Sequence, residues 1–256
     1  KNIDLQNSSF LPRDEPLQVL KYYVMKVFSF KLPAIASIIL LDSAGPAFKK
    51  PITAEWDLTL PAGFKGSTVV ESLGANRHIV INTNGDIYVK LDKLKGGKGI
   101  FVLRNKNGKY EVIKSFGNYT GTGIAIKNGY LYSSSDNDVL RYKFDASNQI
   151  ANEDSPEKIV TGLVNENQHA SKSIISDNAG NVYVNIGAPS NACQVKDRTA
   201  GSPGQDPCPI LEKAGGIWQF KANQQNQSYA QGVLYATGLR NVVGLDWNTN
   251  QNQLYA

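Results

Sequence analysis

Methionine occurs once in the 256 residues, and histidine and cysteine only twice each. So few soft ligands argue against a metal centre built from imidazole and thiolate. Cys193 and Cys208 have no second cysteine pair and no neighbouring histidine, which makes them a poor zinc site. No glycine-rich stretch has the form that cradles a phosphate, and the Gly-Thr-Gly at 121–123 reads instead as a turn. Charge is modest as well. The 27 Lys and Arg against 22 Asp and Glu give a net +5, without the basic stripe and interleaved aromatics of a nucleic-acid binder. That excess fits a solvated surface, and it would also favour an anionic small molecule. The apolar run at 32–41 is about half the length that a membrane-crossing helix needs, so no stable insertion is expected.

What the sequence has in plenty is turn and strand chemistry. Its 23 Gly and 12 Tyr, together with abundant Asn, point to many short strands joined by tight turns. From residue 61 one pattern recurs: an alternating apolar strand, a turn with Asn or Gly, then a strand that opens on an aliphatic residue and Tyr. It appears in HIVINTNGDIYVKL, GIAIKNGYLYSSS, SIISDNAGNVYVNIG and NVVGLDWNTNQNQLYA, with Tyr88, Tyr132, Tyr183 and Tyr255 spaced 44, 51 and 72 residues apart. Two further strand-like stretches lie between successive hairpins, such as GIFVLRN with YEVIKSF. Units of about four strands and roughly 40 to 50 residues predict an all-β fold of propeller blades. Three full units and the hairpin of a fourth make about three and a half blades, fewer than a closed ring needs, so a C-terminally truncated portion of a larger propeller is expected. A β-sandwich is the competing architecture, but its strand signals would recur at roughly 8 to 12 residues.

Residues 58–256 thus form the predicted propeller domain, and the segment before it reads differently. From Met25 the chain runs MKVFSFKLPAIASIILLDSAGPAF: two lysines, a short apolar stretch and small residues, as in a secretory signal over 25–47. Residues 1–24 are expected to be either translated sequence upstream of the true start or a disordered extension. Export to the periplasm or the medium would let Cys193 and Cys208 form a disulfide.

In a propeller, the segment that leads into the innermost strand of each blade lies at one end of the central channel. Arg77 and His78 stand before IVINT, His169 before SIISD, and Arg240 with Asn241 before VVGLDW, so these positions are predicted to converge on one pocket. A neutral imidazole there accepts a proton near physiological pH. Lys172, Arg77 and Arg240 can bind carboxylates or stabilise developing negative charge. The plainer alternative has His169 capping a loop and the arginines bracing adjacent blades. With Gly121–Gly123 before IAIKN as the fourth, four positions in register favour the functional reading.

The stretches NQHASKSIISDNAGNVYVNIG and ATGLRNVVGLDW together resemble the glucose/sorbosone dehydrogenase family, six-bladed propellers that use pyrroloquinoline quinone (PQQ). LPAGFKGSTVVESLGANRHIVINTNGDIYV and the cysteine-bounded insertion are similar to its sorbosone-dehydrogenase-like branch. The resemblance implies an exported oxidoreductase that oxidises an aldose or related sugar by hydride transfer to the quinone. His169 would be the base, and Arg240, Asn241, Lys172 and Arg77 would hold the cofactor. A quinone with three carboxylates accounts for several cations facing one channel. Calcium is implied too, in a segment after the Arg-Asn hairpin that is not among these residues, so no ligand to it can be named. Ala170-Ser171-Lys172 replaces the Gly-containing turn of glucose-oxidising members, so glucose itself is not implied. The competing classes are a non-catalytic propeller ectodomain that binds a protein or glycan, and a lactone hydrolase. The latter would need acidic residues where Arg and His stand.

Overall fold

Paired glycines and Asn-Gly steps set the hairpins. Gly96-Gly97, Asn107-Gly108 and Asn128-Gly129 all have positive φ at both residues, the geometry of type I′ turns, whose twist matches that of the strands they join. The computed structural model describes residues 59–166 and 168–256. The predicted extension at 1–24 and signal at 25–47 lie outside the described residues.

The first sheet runs in chain order through β1 (Asn76–Ile81), β2 (Ile87–Lys95), β3 (Lys98–Lys106) and β4 (Lys109–Phe116), all antiparallel. The second does the same with β5 (Ile124–Lys127), β6 (Tyr130–Ser134), β7 (Val139–Lys143) and β8 (Glu157–Thr161). In the third unit β9 (Ile174–Ser176), β10 (Asn181–Ile186) and β11 (Gly216–Lys221) are followed by β12 (Gln227–Ser228) and β13 (Val233–Thr237). Here the sequence pattern missed a feature. β12 leaves its own unit and pairs in parallel with β8, giving the second sheet a fifth strand, while β13 completes the third sheet beside β11. Gln227, almost fully buried, drives the crossing. Its side chain donates to the carbonyls of Ile159, Lys221 and Gln224 and accepts the Lys221 N–H, so one amide stitches both units. The last hairpin is β14 (Asp246–Asn248) with β15 (Gln253–Tyr255).

The opening strands stand side by side: β1 lies against β5, β5 against β9, and β9 against β14. The sheets therefore radiate as propeller blades do, and period-two alternation fills the space between them. Tyr88, Val102 and Phe116 of the first sheet meet Leu131, Leu140 and Tyr142 of the second. Val139 and Ile159 of the second meet Ile174, Val182 and Trp218 across the next gap. Burying one such side chain contributes about 1.5–3 kcal/mol. The described residues include no α-helix, only short 3-10 turns at Pro209–Glu212 and Tyr229–Gln231, and no helix long and apolar enough to cross a membrane.

Candidate active site

At the end of the third blade where β9 begins and β10 finishes, three segments meet over one glycine. A Cβ built on Gly187 would lie 2.5 Å from the Cβ of His169 and 2.8 Å from the Oδ1 of Asn241, so only glycine fits. The next residue ties the group together. Nδ1 of His169 lies 2.5 Å from the carbonyl of Ala188, and the Ala188 N–H donates to the carbonyl of Arg240 at 2.8 Å. A carbonyl can only accept, so Nδ1 is the protonated nitrogen, and in the neutral ring the lone pair is on Nε2. That is the tautomer a general base requires. His169 reaches this position with φ of 50°, in the left-handed region, where a non-glycine residue costs roughly 1 kcal/mol or more. Such strain recurs at functional sites.

The cysteine-bounded loop and the segment leading into it hydrogen-bond to these residues and their neighbours. Cys193 and Cys208 are joined by a disulfide. Two residues before the loop, Asn191 accepts from Nε of Arg240 at 2.7 Å, and within it Asp197 accepts at 3.0 Å from the side chain of Gln168, which immediately precedes His169. Arg198 donates to the same Gln168 carbonyl. The insertion therefore braces the segment of the candidate base, and the residue leading into it braces the candidate cation.

Lys172 is fully buried, with its ammonium donating to the Ala170 carbonyl. Its backbone carbonyl accepts from Ser134 Oγ at 2.5 Å, which fastens the segment before β9 to the second blade. Gly123 permits that approach, because a Cβ there would lie 2.3 Å from the Lys172 carbonyl oxygen. Burial lowers the Lys172 ammonium to about 8, partly offset by the Asp136 carboxylate. A second buried lysine went unread in the sequence. Lys90 on β2 faces the gap shared with the second blade, where its ammonium donates to the Tyr119 carbonyl at 3.0 Å and lies 3.8 Å from the centre of the Tyr119 ring. Burial lowers it to about 7, and Asp136 again offsets part of the shift. The signal was available: Lys90 interrupts a run, Ile87 to Leu91, whose other members are apolar on both faces.

Arg77 departs from the expectation. The strand begins at Asn76, so Arg77 lies inside β1 at a bulge, not in a preceding loop, and the network joining His169, Asn241 and Arg240 does not reach it. Its charge acts on His78, whose pKa is lowered by burial and further by the Arg77 guanidinium. Asn185 was also missed. It is fully buried on β10, donates to Asn241 Oδ1 at 3.0 Å and accepts the Val242 N–H at 3.0 Å. Ser173 Oγ adds a bond to the Val243 carbonyl, so the Arg-Asn segment is clipped along the third blade.

This arrangement can accept a proton at His169, donate from Asn241, and offer positive charge from Arg240 and Lys172. It suits a ligand that carries negative charge and hydrogen-bond acceptors. Among the described residues no group of three or more His, Cys, Asp or Glu is placed to hold a metal ion.

Three solved structures share the fold. The iodide structure of the Trichoderma reesei carbohydrate-active enzyme of family AA12 is 20% identical over 73% of this chain and 46% of its own, with a TM-score of 0.57. The holo form of the PQQ domain of pyranose dehydrogenase from Coprinopsis cinerea is 19% identical over 73% of this chain and 44% of its own, with a TM-score of 0.58. A calcium structure of the T. reesei enzyme gives 20% identity over 69% and 44% of the two chains and a TM-score of 0.53. The chain thus spans less than half the length of the structures it matches. No curated protein matches it in sequence. Residues 58–256, the stretch that holds all three complete blades and every residue of the site, match a single family description, and the chain belongs to the TrAA12-like family.

Proposed function

We propose that this chain is part of an exported oxidoreductase that oxidises an aldose or related sugar with pyrroloquinoline quinone as cofactor. The observation that carries the reading is the bridge at Ala188, which holds the imidazole of His169 in its base tautomer beside Arg240 and Asn241. The PQQ domain among the structural neighbours supports the choice of cofactor. When bound, the quinone supplies the acceptor for the hydrogen on carbon and its two electrons. Arg240 would bind its carboxylates, Asn241 would donate to one of its oxygens, and Lys172, buried before β9, and Arg77, on the first blade, would add positive charge from further away. His169 takes the hydroxyl proton of the sugar at Nε2 while the carbon–oxygen bond gains its carbonyl character.

The finer readings belong to the same proposal. The complete fold has six blades, residues 58–256 supply part of it, and the signal at 25–47 directs export to the periplasm or the medium after an upstream segment at 1–24. The sorbosone-type branch rests on the entry region and the cysteine-bounded insertion, and Ala170-Ser171-Lys172 argues against glucose as the substrate. The calcium structure among the neighbours keeps calcium in the proposal for the complete protein, but no step here depends on it.

The test is reconstitution of the full-length protein with quinone and calcium. Sugar-dependent reduction of an artificial electron acceptor is expected, with quinone binding seen by calorimetry. Absence of both turnover and heat of binding would overturn the reading in favour of a binding ectodomain.

A further inference from the structure

The orientation of a side-chain amide is ordinarily ambiguous, because its oxygen and nitrogen look alike. At Asn185 the ambiguity resolves itself. The Val242 backbone N–H can only donate, so the Asn185 atom 3.0 Å from it must be the oxygen. The other end of the Asn185 amide is then NH2. It lies 3.0 Å from Asn241 and 3.5 Å from the Ser171 carbonyl, both of which must accept. Asn241 therefore turns its oxygen toward β10 and Gly187, and its own NH2 the opposite way. That NH2 has no hydrogen-bond partner among the described residues.

We propose that Asn185 is a positioning residue: it fixes the amide of Asn241 so that Asn241 can offer only donors, never an acceptor, to an oxygen of the bound ligand. Asn185 itself, fully buried on β10, does not touch the ligand. The ligand half of this inference rests on the reading of the site as a quinone pocket; the orientation half stands on hydrogen-bond chemistry alone. The selectivity is steep, because a reversed amide would aim a carbonyl at the carboxylate or carbonyl oxygen it is meant to bind. Such a mismatch leaves a buried acceptor unpaired.

Two isosteric substitutions separate orientation from packing. In Asn185→Asp one carboxylate oxygen still accepts the Val242 N–H, but the other faces Asn241 and turns its NH2 inward. In Asn241→Asp the bond from Asn185 is kept, and a carboxylate oxygen replaces the outward NH2. Both are made in the full-length protein, with asparagine side-chain amides labelled with nitrogen-15 and quinone affinity measured by calorimetry.

In the parent protein the Asn241 NH2 is expected to exchange freely with water and to shift on quinone addition. In Asn185→Asp it is expected to become protected. Quinone affinity is expected to fall tenfold or more in each single variant, with the thermal midpoint of Asn241→Asp unchanged. Asn241→Ala, costly in the parent, is expected to add little in the Asn185→Asp background, since the donor it removes is already turned away. A protected Asn241 NH2 in the parent overturns the proposal, as does parent-like affinity in Asn241→Asp. If the parent binds no quinone, the pocket reading falls, and the exchange pattern still decides the orientation.

Discussion

His169 and Arg240, 71 positions apart in the chain, are held by opposite ends of one peptide residue: the Ala188 carbonyl takes the imidazole Nδ1–H, and its N–H donates to the Arg240 carbonyl. The convergence of these two segments thus runs through the backbone of one buried residue, Ala188. It fixes Nδ1 as a donor, so that in the neutral ring Nε2 is the atom able to accept a proton.

Replacing His169 by Ala should lower sugar turnover by about 10²- to 10⁴-fold, the range typical of removing a general base, while quinone affinity stays near that of the parent. Steady-state rates and calorimetry on the full-length protein check this. Turnover that survives the substitution would remove His169 from the chemistry.

Gly187→Ala should damage the site and the fold together. The added methyl would come 2.5 Å from the His169 Cβ and 2.8 Å from Asn241 Oδ1, so at least one segment must move. Overpacking of this kind costs about 1–3 kcal/mol. Denaturant unfolding reads the stability loss, and quinone titration reads the displacement of Asn241.

The buried lysines make stability depend on pH. Lys90 titrates at about 7 and Lys172 at about 8 in the folded chain, against 10.5 ordinarily. Below pH 7 both are protonated in either state and the burial penalty is fully present. As pH rises from 7 toward 10.5 the unfolded chain binds more protons than the folded one, so stability increases, by up to about 1.4 kcal/mol per pH unit for each group. Lys90→Met should therefore be more stable than the parent at pH 6 and show a shallower rise on the alkaline side. A parallel pH profile for the two proteins would show that Lys90 is charged in the fold.

Replacing both Cys193 and Cys208 with Ser should cost about 2–4 kcal/mol through the released loop. Asn191→Ala, which leaves the disulfide in place, should spare stability yet weaken quinone binding several-fold by freeing the Arg240 side chain. Comparing the two by thermal unfolding and titration separates the staple from the contact.

Much of this was legible beforehand, and the reasons are physical. Hairpins announce themselves through Asn-Gly and Gly-Gly steps, and Tyr88, Tyr132 and Tyr183 each mark a strand buried on both faces. The grouping of His169 with Asn241 and Arg240 followed from their shared place before or beside an inner strand. Arg77 was misplaced because a bulge between Asn76 and His78 starts the strand earlier than the alternation does. Asn185 was hidden because a polar residue at an alternate strand position looks solvent-facing; only the third dimension shows the Arg-Asn segment lying across it. Lys90 failed for the opposite reason, a charge tolerated inside an apolar run by the face of Tyr119. No local pattern could have placed β12, whose partner β8 lies some 66 residues earlier and whose pairing depends on one buried glutamine.

That glutamine latch has a consequence for how the molecule comes apart. The Lys221 amide proton belongs to the third sheet, yet its acceptor is the side chain whose own amide grips Ile159 in the second. Peeling the outer margin of either sheet breaks the hold on the other, so the two should open as one cooperative unit. In native-state hydrogen exchange their outer-edge amides would report a common opening free energy, and Gln227→Ala would split it into two.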